Sequence, residues 1–286
     1  VLFSAHTRVM IDALKQLGFD LDVDESQHTV KVGGLGGRFT GAKGDNTLHL
    51  GNAGTAYRFL TAACCLATDA HTLDGIPRMR ERPVGQLFAA LRTLGRRIYY
   101  VDNGGFPPLR IEGGGLTGGE LTMAPTLSSQ YISALLQVAP YCRDGLTIQF
   151  DGPVTSRPYV EMTTNVMGRF GVDVEIDPSF TRLSVQPGRS RATVYAIEPD
   201  ASNASYFLAA AAVVPGSVCA VEGLGFRSVQ GDVWFAEVLQ QMGAAVIYEP
   251  NSISVMAPPN EERLQGIDID LNAMPDTAQT LAVVAL

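Results

Sequence analysis

The chain has 286 residues, of which 46% are hydrophobic and 17% are charged, and its formal net charge is −8 at pH 7. This length suggests one large domain or two of ordinary size, and so apolar a composition excludes an intrinsically disordered protein. The longest apolar stretches, residues 59–67 and 206–214, are far shorter than the roughly 18 residues that a membrane span needs. The acidic balance argues against nucleic acid and anionic membranes as partners.

Four cysteines are too few and too scattered for a disulfide framework. The adjacent Cys64 and Cys65 lie in an apolar stretch that is typical of a buried helix. No histidine lies within four residues of another histidine or of a cysteine, so no zinc-binding spacing is present. With no export signal visible, the sequence predicts a cytoplasmic protein, and the apolar run that ends at Leu286 predicts a fragment of a longer chain.

Four segments of the chain share one pattern of helix, glycine, alternating strand, polar turn and second strand. The apolar residues of the helices recur at the spacing of one buried face, most clearly at Leu87, Phe88, Leu91 and Leu94. A glycine is expected to end each helix in the left-handed conformation, at Gly18, Gly95, Gly171 and Gly243. The cleanest alternating strand is predicted over residues 172–176.

A second helix is predicted after each copy, over residues 56–67, 131–138, 203–214 and 278–286. Each follows Asn, Ser, Asp or Gly residues, which favour the start of a helix. The free N–H groups and the dipole of a helix start attract anions. Arg78 lies in a proline-flanked loop that could join such a site, whereas Arg92, Arg96 and Arg97 are predicted to be solvated. The sequence therefore predicts a cleft for a small anionic ligand.

The repeats predict an α/β (α+β) fold built from βαβαββ units in two domains. The first domain is predicted over residues 1–190 and the second over residues 191–286, because a Pro-Gly-Arg-Ser-Arg segment interrupts the pattern at residues 187–191.

Six motifs follow one another along the chain: Leu-Gly-Asn-Ala-Gly-Thr-Ala (50–56), Pro-Arg-Met-Arg-Glu-Arg-Pro (77–83), Ser-Ser-Gln-Tyr (128–131), Ser-Arg-Pro-Tyr (156–159), Asp-Ala-Ser (200–202) and Asn-Ala-Met-Pro-Asp (272–276). Together and in this order they resemble the 5-enolpyruvylshikimate-3-phosphate synthase family, and the resemblance covers nearly all 286 residues. The resemblance implies the two-domain enolpyruvyl transferase fold, incomplete here at both ends.

The implied enzyme transfers the enolpyruvyl group of phosphoenolpyruvate to the 5-hydroxyl of shikimate 3-phosphate and releases phosphate. This reaction belongs to the shikimate pathway of chorismate and aromatic amino-acid biosynthesis, and the family is the target of glyphosate. The resemblance implies a monomer that needs no metal or organic cofactor. Its partners would be the two small-molecule substrates, with no nucleic acid and no membrane.

The resemblance assigns five residues to shikimate 3-phosphate. Ser128, Ser129 and Ser156 would hold its phosphate group, and Tyr159 would line its site. Gln130 would lie between the two substrates.

Five further residues are assigned to phosphoenolpyruvate or to the turn around it. Arg78 would grip this substrate with two hydrogen bonds, which lysine could not copy. Gly54 would leave room for its phosphate group, and Asn52 and Thr55 would shape the turn. Arg58 would touch substrate or anchor the loop, two alternatives that the sequence leaves open.

The resemblance makes Asp276 the catalytic residue, beside the attacking hydroxyl and suited to accept its proton. The alternative is that Asp276 is a plain helix cap after Pro275. Near the start of the chain, Ala5 and His6 stand where the family usually has an acidic pair, so the role of those carboxylates has no counterpart here.

Two other functions are weighed against this one. The sister enzyme, UDP-N-acetylglucosamine enolpyruvyl transferase, carries a reactive cysteine on a loop of its first domain, and here no cysteine lies between Cys65 and Cys142. A catalytically inactive fragment or pseudoenzyme is the second alternative. Because the family's N-terminal and C-terminal lysine-bearing segments are missing, the 286-residue chain alone is expected to be nearly inactive.

Overall fold

The computed structural model describes residues 1–41, 46–124, 128–259 and 263–286. Two compact units are present, Val1–Val154 with Thr163–Val194, and Thr155–Met162 with Tyr195–Leu286. The sequence-based boundary after residue 190 lies a few residues before this division and, as a domain boundary, stays a prediction. Nothing in the sequence indicated that Thr155–Met162 would group with the second unit.

The first unit begins with a helix and a hairpin. Helix α1 (Ala5–Gln16) begins after Ser4, whose hydroxyl oxygen accepts a hydrogen bond from the backbone N–H of Thr7. Such a cap satisfies one of the N–H groups that a helix start leaves unpaired, which favours a helix that begins here. Strands β1 (Asp20–Asp24) and β2 (Thr29–Gly33) pair antiparallel.

Two copies of one βαβαββ motif follow along the chain. In both copies the first two strands are parallel and the other neighbouring strands are antiparallel, with the order first, second, fourth, third. The first copy is β3 (Thr47–His49), α2 (Gly54–Cys64), β4 (His71–Asp74), α3 (Gly85–Thr93), β5 (Ile98–Tyr100) and β6 (Leu109–Ile111). The second copy is β7 (Gly119–Met123), α4 (Ser129–Val138), β8 (Leu146–Phe150), α5 (Arg157–Arg169), β9 (Glu175–Ile176) and β10 (Arg182–Val185). The predicted βαβαββ repeat is confirmed.

The second unit follows the same motif from its first helix onward. Its sheet has the order β11-β13-β12, which matches the second, fourth and third strands of the other copies. Its elements are α6 (Ala201–Val213), β11 (Val218–Glu222), α7 (Phe235–Gln241), β12 (Ala245–Tyr248), β13 (Ser252–Met256) and α8 (Ala278–Val284).

The glycines predicted to end four helices do so. Each has a φ angle in the left-handed region, between +77° and +109°, at Gly18, Gly95, Gly171 and Gly243. In each case the N–H of the following residue bonds the carbonyl five residues earlier, as in Phe19 to Leu14, Arg96 to Leu91, Val172 to Met167 and Ala244 to Leu239. This is the Schellman ending of a helix, which glycine adopts without steric cost.

Two sequence-based predictions of local structure are wrong. The strand predicted over residues 172–176 is limited to Glu175–Ile176, because only these two residues pair with the neighbouring strand β10. Arg96, predicted to be solvated, is half-buried, and its Nη1 donates a hydrogen bond of 2.7 Å to the carbonyl of Gly115. The loop that follows β6 therefore captures this guanidinium.

The cysteine pair lies in the core, as predicted. Cys64 and Cys65 are fully buried at the end of α2, and burial raises the pKa of the Cys64 thiol to about 12. The same effect raises the pKa of Cys142 to about 12. In the described part of the chain, no helix combines the length and the apolar character that crossing a bilayer requires.

Candidate functional site

The turn before α2 is built around glycine. Leu50 follows β3, and its backbone N–H donates to the carbonyl of Asp74 at the end of β4, so the turn is fixed to the sheet. Helix α2 then begins at Gly54 after Ala53, and no side chain caps it. Asn52, expected among the capping residues, is therefore not the cap. No side chain therefore caps the backbone N–H groups at the start of α2, and an uncapped helix start favours anion binding.

Arg82 lies directly against this helix start. A Cβ atom on Gly54 would lie 2.6 Å from Cζ of Arg82, and Nη1 of Arg82 donates a hydrogen bond of 3.2 Å to the carbonyl of Asn52. Burial lowers the pKa of Arg82, and the positive charges of Arg58 and Arg78 lower it further. The positive charges of three guanidinium groups therefore repel one another around the turn. An anion bound there would relieve this repulsion.

The arginines of this loop differ in their partners. Arg78 is exposed and pairs with Glu81 at 2.5 Å, and Arg80 pairs with Asp74. In the described ranges neither Arg58 nor Arg82 forms an ion pair with a carboxylate. Of these four arginines, Arg58 and Arg82 are thus the two without a carboxylate partner among the described residues.

Arg58 joins the turn to the start of α4. It is buried, its Nη1 donates a hydrogen bond of 2.5 Å to Oε1 of Gln130, and its guanidinium lies 5.4 Å from the ring centre of Tyr131. Ser128 caps α4 by accepting a bond from the N–H of Gln130, and the side chain of Ser129 is buried. Helices α2 and α4 therefore place the predicted Arg58 and Gln130 together.

Hydrogen bonds fix both ends of the loop that carries Arg82. Both carboxylate oxygens of Asp74 accept hydrogen bonds from Arg80, at 2.9 Å from Nε and 2.5 Å from Nη2. Burial opposes ionisation of Asp74, but the bonds from Arg80 and from the Gly75 N–H outweigh it and lower its pKa. The Tyr131 hydroxyl donates to the carbonyl of Pro83 at 2.6 Å, so the loop is held at both ends.

In the second unit the predicted Tyr159 meets a residue that the sequence did not single out. Its hydroxyl lies 3.1 Å from each carboxylate oxygen of Asp232, which also accepts a bond of 2.6 Å from the Ser202 hydroxyl. Burial raises the pKa of Tyr159, and Asp232 and Asp276 raise it further by charge and by hydrogen bonding. Both carboxylates are therefore neighbours of the same phenol.

Ser156 and Asp276 complete the predicted residues of this unit. Ser156 is buried with a φ of +53°, a left-handed conformation that is uncommon for a residue other than glycine and tends to mark functional sites. Asp276 is exposed within the short turn Pro275–Thr277. The alternative that Asp276 caps a helix is wrong, because Thr277 precedes α8 and no side chain caps it.

Two functional candidates were missed by the sequence analysis. Arg82 is one of several arginines in its stretch, and only its contact with Gly54 separates it from the others. Asp232 is 73 residues from Tyr159 along the chain, so no local motif could connect them. The other two predicted residues of the first unit, Thr55 and Arg78, are exposed.

In the part of the chain that the structure describes, no group of three or more His, Cys, Asp or Glu side chains is arranged to hold a metal ion.

Comparisons with known proteins agree with one another. A family model described as EPSP synthase (3-phosphoshikimate 1-carboxyvinyltransferase) matches residues 1–286. The chloroplastic 3-phosphoshikimate 1-carboxyvinyltransferase of Arabidopsis thaliana is 45% identical over 299 aligned residues, which cover 100% of this chain and 57% of that protein. The corresponding protein of Marinomonas sp. is 45% identical over 288 residues, which cover 100% of this chain and 66% of that protein.

A solved structure of EPSP synthase from Acinetobacter baumannii matches 99% of this chain and 64% of that chain, with a TM-score of 0.79 and 22% sequence identity. This likeness confirms the predicted α/β fold of the enolpyruvyl transferases. The chain spans between 57% and 66% of the length of these relatives. On the match of its entire length to the family model, the chain belongs to the EPSP synthase family.

Proposed function

We propose that the protein to which this chain belongs transfers the enolpyruvyl group of phosphoenolpyruvate to the 5-hydroxyl of shikimate 3-phosphate and releases phosphate. The observation that supports this most strongly is the pair of arginines at the Gly54 turn, Arg58 and Arg82, which lack carboxylate partners among the described residues. Planar guanidinium groups beside a helix start suit the phosphate and carboxylate of phosphoenolpyruvate.

In the first unit, we assign Arg82 and the Gly54 turn to phosphoenolpyruvate. Arg58 holds Gln130 in place beside it, and Arg78 stays at the periphery because Glu81 already pairs with it. Ser128 and Ser129 at the start of α4 are assigned to the phosphate of shikimate 3-phosphate, since this helix start repeats the position of the Gly54 turn in the next copy of the motif.

In the second unit, Asp276 is assigned as the proton acceptor, and Tyr159 and Ser156 as contacts of shikimate 3-phosphate. The 5-hydroxyl gives its proton to Asp276 as its oxygen bonds to the substituted alkene carbon of phosphoenolpyruvate, while the methylene carbon takes a proton from solvent and becomes a methyl group. In the resulting tetrahedral intermediate, the bond between this carbon and the phosphate oxygen then breaks, phosphate leaves, and the methyl group returns one proton to solvent, which re-forms the double bond of the enolpyruvyl ether. Fixed cations stabilise the charge that develops on the leaving phosphate.

Calorimetric titration with shikimate 3-phosphate tests the substrate assignment, with UDP-N-acetylglucosamine as the comparator. We expect saturable heat with shikimate 3-phosphate alone. Saturable heat with the nucleotide sugar alone would replace the proposal by the sister activity. A monomeric state and a cytoplasmic location are part of the proposal, and light scattering after size exclusion tests the first of them.

A further inference from the structure

The proposed reaction leaves one buried acid in the second unit without a role. Asp232 lies in the short turn Gly231–Trp234 and is only 4% exposed. Its described hydrogen-bond partners are two hydroxyl groups, those of Tyr159 and Ser202, rather than cations. A buried carboxylate that no cation neutralises depends on its hydrogen-bond donors, which here are these two hydroxyl groups.

The phenol of Tyr159 has a single proton to donate. It lies 3.1 Å from both oxygens of Asp232, so this proton is directed to Asp232. Asp276 is also close enough to the phenol to raise its pKa through charge and hydrogen bonding. The two carboxylates therefore compete for one donor, and the geometry gives it to Asp232.

The two carboxylates differ in their exposure. Asp232 is buried, whereas Asp276 is exposed at the edge of its turn and open to a ligand. A carboxylate that accepts the phenol proton loses part of its capacity to accept a proton from a substrate hydroxyl. The arrangement places the carboxylate that lies 3.1 Å from the phenol inside and the more exposed carboxylate outside.

We infer that Asp232 is a positioning residue of the proposed reaction, which takes the Tyr159 proton and so leaves the Asp276 carboxylate open to the 5-hydroxyl of the substrate. This inference rests on the function proposed above. It predicts that loss of the Asp232 carboxylate turns the phenol proton toward Asp276, where it competes with the substrate hydroxyl.

Three titratable groups, each from a different neighbouring element, act on Asp232 among the described residues. They are Tyr159 from α5, Asp200 from the start of α6, and Asp276 from the turn before α8. Burial raises the pKa of Asp232, and the negative charges of Asp276 and Asp200 raise it further against the bonds from Ser202 and Tyr159. Protonation of Asp232 would thus weaken its hydrogen bond with the phenol.

The test is a double-mutant cycle on the affinity for shikimate 3-phosphate, measured by calorimetry for the wild type, Asp232→Asn, Tyr159→Phe and the double variant. We expect Asp232→Asn to weaken binding by roughly tenfold in the wild-type background, the effect of about one hydrogen bond. In the Tyr159→Phe background it should have no effect, because no phenol proton is left to redirect. The same loss in both backgrounds would overturn the inference.

Glu198→Gln is the matched control. Glu198 is an acid of the same unit that accepts bonds from the Ser228 hydroxyl and the Val229 N–H, and neither bond involves Tyr159. Its effect should be equal in both backgrounds. If Asp232→Asn does not fold, Asp232→Ala replaces it, because it also removes the carboxylate, with the same expected dependence on Tyr159.

A pH series separates positioning from a purely structural role. In the wild type, affinity should fall as Asp232 becomes protonated, and this phase should be missing in Asp232→Asn. Identical pH profiles would contradict the inference. If the wild type itself bound no shikimate 3-phosphate, the proposed function would fail first, and the two failures are thereby distinguished.

Discussion

The guanidinium of Arg82 occupies the space that a side chain at residue 54 would need, since a Cβ atom on Gly54 would lie 2.6 Å from Cζ of Arg82. The lack of a side chain at residue 54 is therefore what makes room for the Arg82 guanidinium. A ligand at the start of α2 would meet the helix N–H groups and the arginine together, and neither can move without affecting the other.

Gly54→Ala is expected to displace the Arg82 guanidinium and to weaken phosphoenolpyruvate and glyphosate binding by roughly 10–100-fold, the effect of losing about 1.5–3 kcal/mol of charged hydrogen bonds. The binding of shikimate 3-phosphate should change far less. Calorimetric titration with each ligand measures both effects. Unchanged glyphosate affinity would contradict the placement of this site.

Gly168→Ala is the control for this substitution. Gly168 lies in α5, and no atom outside its local helix lies within 4 Å of an added Cβ. The added methyl group should leave ligand binding unchanged and raise the free energy of unfolding by about 0.5–1 kcal/mol, because alanine favours a helix over glycine.

Substitutions at Arg82 and Arg78 test which arginine binds phosphoenolpyruvate. Arg82→Lys keeps the charge but loses the planar fork, and we expect it to weaken binding by roughly 10–100-fold, about 1.5–3 kcal/mol for charged hydrogen bonds. Arg78→Met removes only an exposed ion pair with Glu81 and should change affinity by less than about fivefold. The opposite order would restore the sequence-based assignment of Arg78.

Thiol labelling of the native protein should modify Cys219 alone. Cys219 is partly exposed, whereas the other three cysteines are buried and burial raises their pKa values. A thiol reacts as its thiolate, so the buried groups should react only after unfolding. Titration with Ellman's reagent should count one fast thiol in the wild type and none in Cys219→Ser. A second fast thiol in the native state would contradict the described core.

The burial of His71 predicts how the free energy of unfolding depends on pH. Its ring is 1% exposed, Nδ1 donates to the carbonyl of Asp69 at 3.0 Å, and burial lowers its pKa from 6.5. Well above pH 6.5 the ring is neutral in both states. As pH falls below 6.5 the unfolded state binds the proton first, so stability decreases until the lowered folded-state pKa is passed.

Thermal unfolding between pH 8 and pH 5 measures this effect. The wild type should lose more stability over this interval than His71→Asn, which cannot titrate. His49→Asn is the control, because His49 is exposed and its replacement should leave the wild-type slope unchanged. Equal slopes for His71→Asn and the wild type would exclude His71 as the cause.

The repeated units were predictable because their signals are local. Gly18 and Gly95 end their helices, and the residue after each donates to a carbonyl only five positions earlier, so a single stretch of sequence contains both partners. The strand at residues 172–176 failed because its length depends on a pairing partner, β10, that local alternation does not reveal.

The site was less predictable than the fold, because its contacts join distant residues. Arg78 and Arg82 look equivalent in the sequence, and only the approach of Glu81 to one and of Gly54 to the other separates them. Arg58 and Gln130 were both predicted, yet their hydrogen bond spans 72 residues and required the packing of α2 against α4.

The identical strand order of the two complete motifs has an evolutionary consequence. Helix α2 follows β3 and helix α4 follows β7, so the starts of both helices stand at the same step of one repeated unit. Duplication of an ancestral module with a single anion-binding helix start would thus give two such starts in one chain. Glycine at the start of one helix and serine at the start of the other would then let the two copies hold different anions.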